Sequence, residues 1–98
     1  MLDFYFIKDG ATKPENGPSA LDFAGNLDDK TFANLQKKGI IDSHFNYYSD
    51  FRWSEGILRQ IRERSDPKQM HSDTDVVKLL RLTDAALDKK SGLIAFGD

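Results

Sequence analysis

The chain begins and ends on short apolar runs, and this constrains its fold more than anything else in it. Residues 2–7 read Leu-Asp-Phe-Tyr-Phe-Ile and residues 93–96 read Leu-Ile-Ala-Phe. Under a period of two, Leu2, Phe4 and Phe6 share one face of a strand. Asp3, Tyr5 and Ile7 share the other, so both faces call for cover. A chain of 98 residues has room for one modest core in which to bury both ends. The simplest solution pairs the terminal strands in one small sheet and packs the residues between them on it.

Those intervening residues read mostly as helix. Asp9-Gly10 turns the chain after the first strand, and residues 11–19, with Pro14, Pro18 and Asn16-Gly17, form a loop poor in apolar contacts. Residues 20–24 read as a short strand or an extended connection. Residues 27–39 form a short helix. Asp28 or Asp29 caps it, and Phe32 and Leu35 share a face. Lys37 and Lys38 lie in the last turn, and Gly39 is a left-handed stop that returns Ile40 onto Leu35.

A second helix is expected from Ser49 or Asp50 to about Ser65, ended by Asp66-Pro67. At about 100° per residue its apolar face holds Trp53, Ile57, Leu58 and Ile61, opposite Arg52, Arg59, Arg62, Glu55 and Glu63. Residues 68–71 form a connector. Ser72 or Asp73 then caps a third helix in which Val76, Val77, Leu79, Leu80, Leu82, Ala86 and Leu87 span about 220° of the wheel. So wide an arc makes this helix the centre of the core, with Leu80 buried and Gly92 as its stop. The order strand, short strand, three helices, strand describes one α+β domain over residues 1–98.

Catalytic signatures are missing from this pattern. With no cysteine, disulfide frameworks, thiolate zinc sites and thiol chemistry are excluded together. The two histidines, His44 and His71, fall in separate irregular segments without metal-ligand spacing. Asp42, Ser43 and His44 are adjacent in sequence, but a catalytic relay requires convergence in space. The glycines form no phosphate cradle. The expectation is a chain that is not an enzyme, with no catalytic residue, cofactor or metal. The 14 basic and 16 acidic residues are mixed along the chain and sum to −2, which gives no electrostatic case for nucleic acid. No apolar stretch approaches the roughly 20 residues that cross a bilayer, and no basic leader precedes an apolar run. A cytoplasmic, bacterial setting fits these features.

One segment carries more than a small core requires. Residues 41–53 hold five of the chain's 11 aromatic residues (7 Phe, 3 Tyr and 1 Trp), interleaved with Asp, Ser, Asn, His and Arg. Phe45, Tyr48 and Trp53 fit as core residues crossing between helices. In a second reading some of Tyr47, Tyr48, Phe51 and Arg52 remain exposed as a patch for a partner, because Tyr, Trp and Arg dominate binding energy at interfaces. Both readings can hold for opposite faces of the segment.

The leading expectation is therefore a non-catalytic protein-binding domain of inhibitor, immunity or adaptor type. Its anchor would be Tyr47, Tyr48 or Phe51, flanked by Arg52, with Asp42 and Asp50 steering toward a basic partner. The alternative is a small-ligand or nucleic-acid binder that uses Arg52, Arg59 and Arg62 on the second helix. Against it, Arg59 is spaced to pair with Glu55 and Glu63. In overall type the chain resembles small acidic bacterial accessory proteins, immunity proteins among them, though no motif is shared.

Overall fold

The computed structural model describes residues 1–14, 17–65 and 73–97. Among them are four strands, β1 (Leu2–Ile7), β2 (Phe23–Leu27), β3 (Phe51–Trp53) and β4 (Gly92–Phe96). Three helices, α1 (Asp29–Lys37), α2 (Glu55–Arg64) and α3 (Thr74–Asp88), and a 3-10 turn at Pro18–Ala20 complete the described elements. The strands form one antiparallel sheet in the order β2-β1-β4-β3. The terminal strands are direct neighbours, paired from Asp3 opposite Phe96 to Ile7 opposite Gly92. The chain is thus a small α+β domain with both terminal strands at the middle of its sheet.

Strand alternation separates two faces. Leu2, Phe4, Leu93, Ala95 and Trp53 join one buried cluster with Phe32, Leu35, Leu58, Ile61, Val76, Leu79 and Ala86 from the helices. Ile7 and Ile94 are equally buried but stand outside that cluster, on the opposite face. Phe23, Tyr5 and Phe96 share this second face, where Tyr5 stacks edge-on against the other two.

The helix ends follow local chemistry. Asp28 caps α1 by accepting from the Thr31 N–H at 2.8 Å. Gly39 takes φ +76°, and the Ile40 and Gly39 N–H groups donate to the Leu35 and Gln36 carbonyls, both at 3.0 Å. This is the glycine-terminated ending expected from the sequence. Asp73 caps α3 by accepting from Asp75 and Val76. The expected stop at Asp66-Pro67, the connector at 68–71 and a cap at Ser72 lie outside the described residues.

Several expectations give way to tertiary context. Residues 51–53 are not the first turn of the second helix. Phe51, Arg52 and Trp53 pair with Ala95, Ile94 and Leu93 as an edge strand. Trp53 fits a period of two with Phe51 as well as a helical period with Ile57 and Ile61, and the unpaired side of β4 decides between them. Helix α2 starts four residues later, with Ser54 accepting from the Ile57 N–H at 3.3 Å. Asp9, in the turn after β1, accepts from the Glu55 N–H and supplies a second cap from a distance.

The second strand lies at 23–27 rather than 20–24, with Ala24 bulged out between Phe23 opposite Tyr5 and Gly25 opposite Phe4. Gly92 does not end α3. Lys90 adopts the left-handed conformation (φ +53°), with Lys90 and Ser91 donating to the Leu87 and Ala86 carbonyls. Gly92 instead opens β4, where a Cβ would lie 2.3 Å from the Trp53 carbonyl oxygen. Within α3, Leu79 is fully buried while Leu80 is half-buried on the flank. Within the stretch expected as a loop, Lys13 is tied to the fold, because its ammonium pairs with Asp50 at 3.2 Å and sits over the Phe96 ring.

Candidate binding surface

Residues 42–50 form two consecutive turns, each opened by a side chain that accepts from the backbone two residues on. Asp42 Oδ1 accepts from the His44 N–H at 3.1 Å, and Asn46 Oδ1 accepts from the Tyr48 N–H at 2.9 Å. Such local bonds are why Asp and Asn favour turns over helix. The Phe45 and Ser49 N–H groups donate to the Asp42 and Asn46 carbonyls and close the two turns. Gln36 of α1 pins the first turn by donating to the Asp42 and Phe45 carbonyls at 3.1 and 2.7 Å. Asp50 anchors the second by accepting from the Gly97 N–H at 3.1 Å and pairing with Lys13.

The aromatic segment divides between core and surface, with Phe51 on the inner side and Tyr48 on the outer. Phe45 and Phe51 turn inward, 4.9 Å apart, and both pack against the fully buried Trp53. Phe51 also meets Phe4 and Phe32, which places it with the core. Tyr47 is half-buried against Phe32. Burial raises the pKa of its hydroxyl, as do the Asp29 and Asp28 carboxylates, while a hydrogen bond to the Leu2 backbone opposes the rise. Tyr48 is the exception: it is 65% exposed and stands at right angles to the Tyr47 ring, 5.1 Å away.

The charged residues divide too. Asp50 and Arg52 meet Lys13, Phe51 and Ile94 in a shallow depression of about 140 Å³. Arg52 Nη2 donates to the Lys8 and Asp9 carbonyls at 2.7 and 3.0 Å, holding the turn after β1 against β3. Arg52 therefore lies on the sheet, away from Arg59 and Arg62 on α2. Arg59 pairs with Glu55 at 3.7 Å and Arg62 with Asp84 at 3.3 Å. Asp42 is exposed, with His44 Nδ1 2.8 Å from its Oδ1. The hydrogen bonds from the His44 side chain and backbone hold its carboxyl below the usual carboxylate range.

The structure adds a row of residues that the sequence reading did not single out. Phe23 is 54% exposed and stacks on Tyr5, Tyr5 stacks on Phe96, and Lys13 sits over Phe96 while pairing with Asp50. The row crosses the second face of the sheet and reaches the turn that carries Tyr48. Its signal was the alternation in residues 2–7, which already sets Tyr5 opposite to Phe4. Among the described residues, no helix is long and apolar enough to cross a membrane, and no group of three or more His, Asp or Glu side chains is placed to hold a metal ion. Compared with known proteins, the chain matches no family model, and neither a curated protein nor a solved structure is significantly similar to it.

Proposed function

We propose that the chain is a non-catalytic protein-binding domain of the inhibitor, immunity or adaptor kind, acting in a bacterial cytoplasm. The observation that carries this reading is Tyr48, 65% exposed on a turn held at both ends by Asn46 and by the Asp50–Gly97 bond. A rigid, amphipathic ring presented this way loses little entropy on binding and suits a hot spot. Tyr47 and Asp50 stand with it, and the row through Phe96, Tyr5 and Phe23 extends the apolar surface along the sheet. Asp42 and Asp50 supply the negative charge that would steer a basic partner. Arg52 and Phe51 follow directly in β3, Arg52 bound to the turn after β1 and Phe51 packed on the core rings. The arginine-based reading, an anion or nucleic-acid surface made of Arg52, Arg59 and Arg62, draws less support because each guanidinium is already engaged.

The test compares proteins retained by the wild-type chain and by its Y48A variant from a lysate of the source organism, followed by titration of the purified candidate. The reading expects one partner whose affinity falls by about 2 kcal/mol or more in Y48A, as at interface hot spots. A partner that binds Y48A as tightly as wild type would overturn the assignment of this surface.

A further inference from the structure

We propose that the pocket between residues 40–45 and α2 is a binding site for a small molecule that joins one apolar ring or branched aliphatic group to an anionic head. Ile40, Ile41, Phe45, Trp53, Ile57 and Ile61 wall a cavity of about 200 Å³. An apolar cavity of about 150 Å³ is enough to take up benzene, so a single ring fits here with space for a substituent.

Polar groups at this pocket decide the class of ligand. Asp42, His44, Gln60 and Arg64 stand around the apolar wall. Asp42, the acid among them, is already occupied by His44, through the backbone N–H at 3.1 Å and Nδ1 at 2.8 Å. The capacity left over is donor capacity. Trp53 Nε1 is buried with no hydrogen-bond partner among the described residues. A buried donor in that condition is destabilising, and the residue that carries it is one of those lining the pocket. Arg64 contributes the one permanent positive charge among the lining residues, and a guanidinium pairs with a carboxylate through two parallel N–H bonds. A molecule with a carboxylate head and an apolar ring matches both the apolar wall and the Arg64 charge. Of the residues given to the Tyr48 surface this pocket shares Asp42 alone, and the site stands whether or not that surface binds a protein.

Trp53 is the chain's single tryptophan, so its indole N–H resonance and its fluorescence both report from the pocket wall. The experiment titrates the full chain with benzoate, and with benzyl alcohol and benzylamine as neutral and cationic counterparts carrying the same ring. Benzoate is expected to shift the indole resonance saturably, with a Kd on the order of 1 mM, ordinary for so few atoms. Benzylamine on wild type, and benzoate on R64Q, should each bind at least about tenfold more weakly, equivalent to about 1.4 kcal/mol. Arg64 is exposed, so R64Q keeps the fold, and I57F tests the pocket independently by filling it and abolishing the response. If none of the three probes gives a saturable shift up to tens of millimolar, there is no site. Equal binding of benzylamine, or undiminished binding to R64Q, overturns the anionic class.

Discussion

The Gly97 backbone N–H donates to Asp50 Oδ1 at 3.1 Å, and this bond ties the Tyr48 turn to the end of the last strand. The two backbones meet closely. A Cβ at Gly97 would lie 2.6 Å from the Tyr48 carbonyl carbon, 2.8 Å from the Ser49 nitrogen and 2.8 Å from the Tyr47 oxygen. All three are backbone atoms, so nothing flexible can yield.

Gly97→Ala should therefore displace the turn. A loss of about 1–3 kcal/mol is expected from overpacking, with amide shifts concentrated at residues 46–50. Denaturant titration and an amide correlation spectrum check both. An unchanged spectrum would show that the turn is not seated on Gly97.

Tyr48 and its neighbours should separate binding from folding. Tyr48→Ala should change stability by under about 0.5 kcal/mol. Phe51→Ala should cost about 1.5–3 kcal/mol, the worth of burying a phenylalanine. Trp53→Ala should cost about 3–5 kcal/mol. Urea midpoints of the three variants give the order directly, and a Tyr48 loss as large as that of Phe51 would place Tyr48 in the core.

At the end of α3, Lys90→Gly should raise stability. A left-handed L-residue costs about 1–2 kcal/mol, against about 0.4–1 kcal/mol for glycine's freer unfolded chain. The expected gain is up to about 1.6 kcal/mol by their difference. Gly92→Ala should act oppositely and more strongly, because its Cβ would meet the Trp53 carbonyl oxygen at 2.3 Å. Thermal unfolding of both variants tests the pair, and a stable Gly92→Ala variant would contradict the tight β3–β4 approach.

Acid should weaken the fold through Asp73 and Asp28. The Lys38 ammonium, with the Asp75 and Val76 N–H groups, lowers the Asp73 pKa, and the Thr31 N–H lowers that of Asp28. A lowered folded-state pKa stabilises above the ordinary carboxylate range, and the effect is lost as pH falls through the folded value. Stability should thus hold from neutral pH to about pH 5 and decline below about pH 4, where unfolded-state aspartates take up protons. Asp73→Asn keeps an acceptor for the cap but no charge for Lys38, so it should shrink the acid decline. Urea unfolding across that range decides, and an identical decline in the variant would remove Asp73 from the account.

What the sequence determined by itself was mostly local. Asp28, Gly39 and Asp73 mark helix ends because each satisfies backbone groups within its own turn. The terminal apolar runs are most simply buried by pairing in one sheet, so the α+β class was legible in advance, whereas the direct pairing of β1 with β4 at the centre of the sheet was decided by the structure. The aromatic character of residues 41–53 was also legible, but its division was not. Trp53 satisfies a helical period with Ile57 and Ile61 and a strand period with Phe51, and only the free edge of β4 selects the strand, which moves Arg52 off the arginine row. Lys90 holds the left-handed position because the chain must turn into β4 there, and Gly92 is spent on the close approach to Trp53. Tyr48 stands outward on a turn whose backbone is seated on Gly97, at the far end of the chain, and is fastened there by Asp50. These outcomes depend on which residues distant in sequence come to share a volume, and no local pattern carries that information.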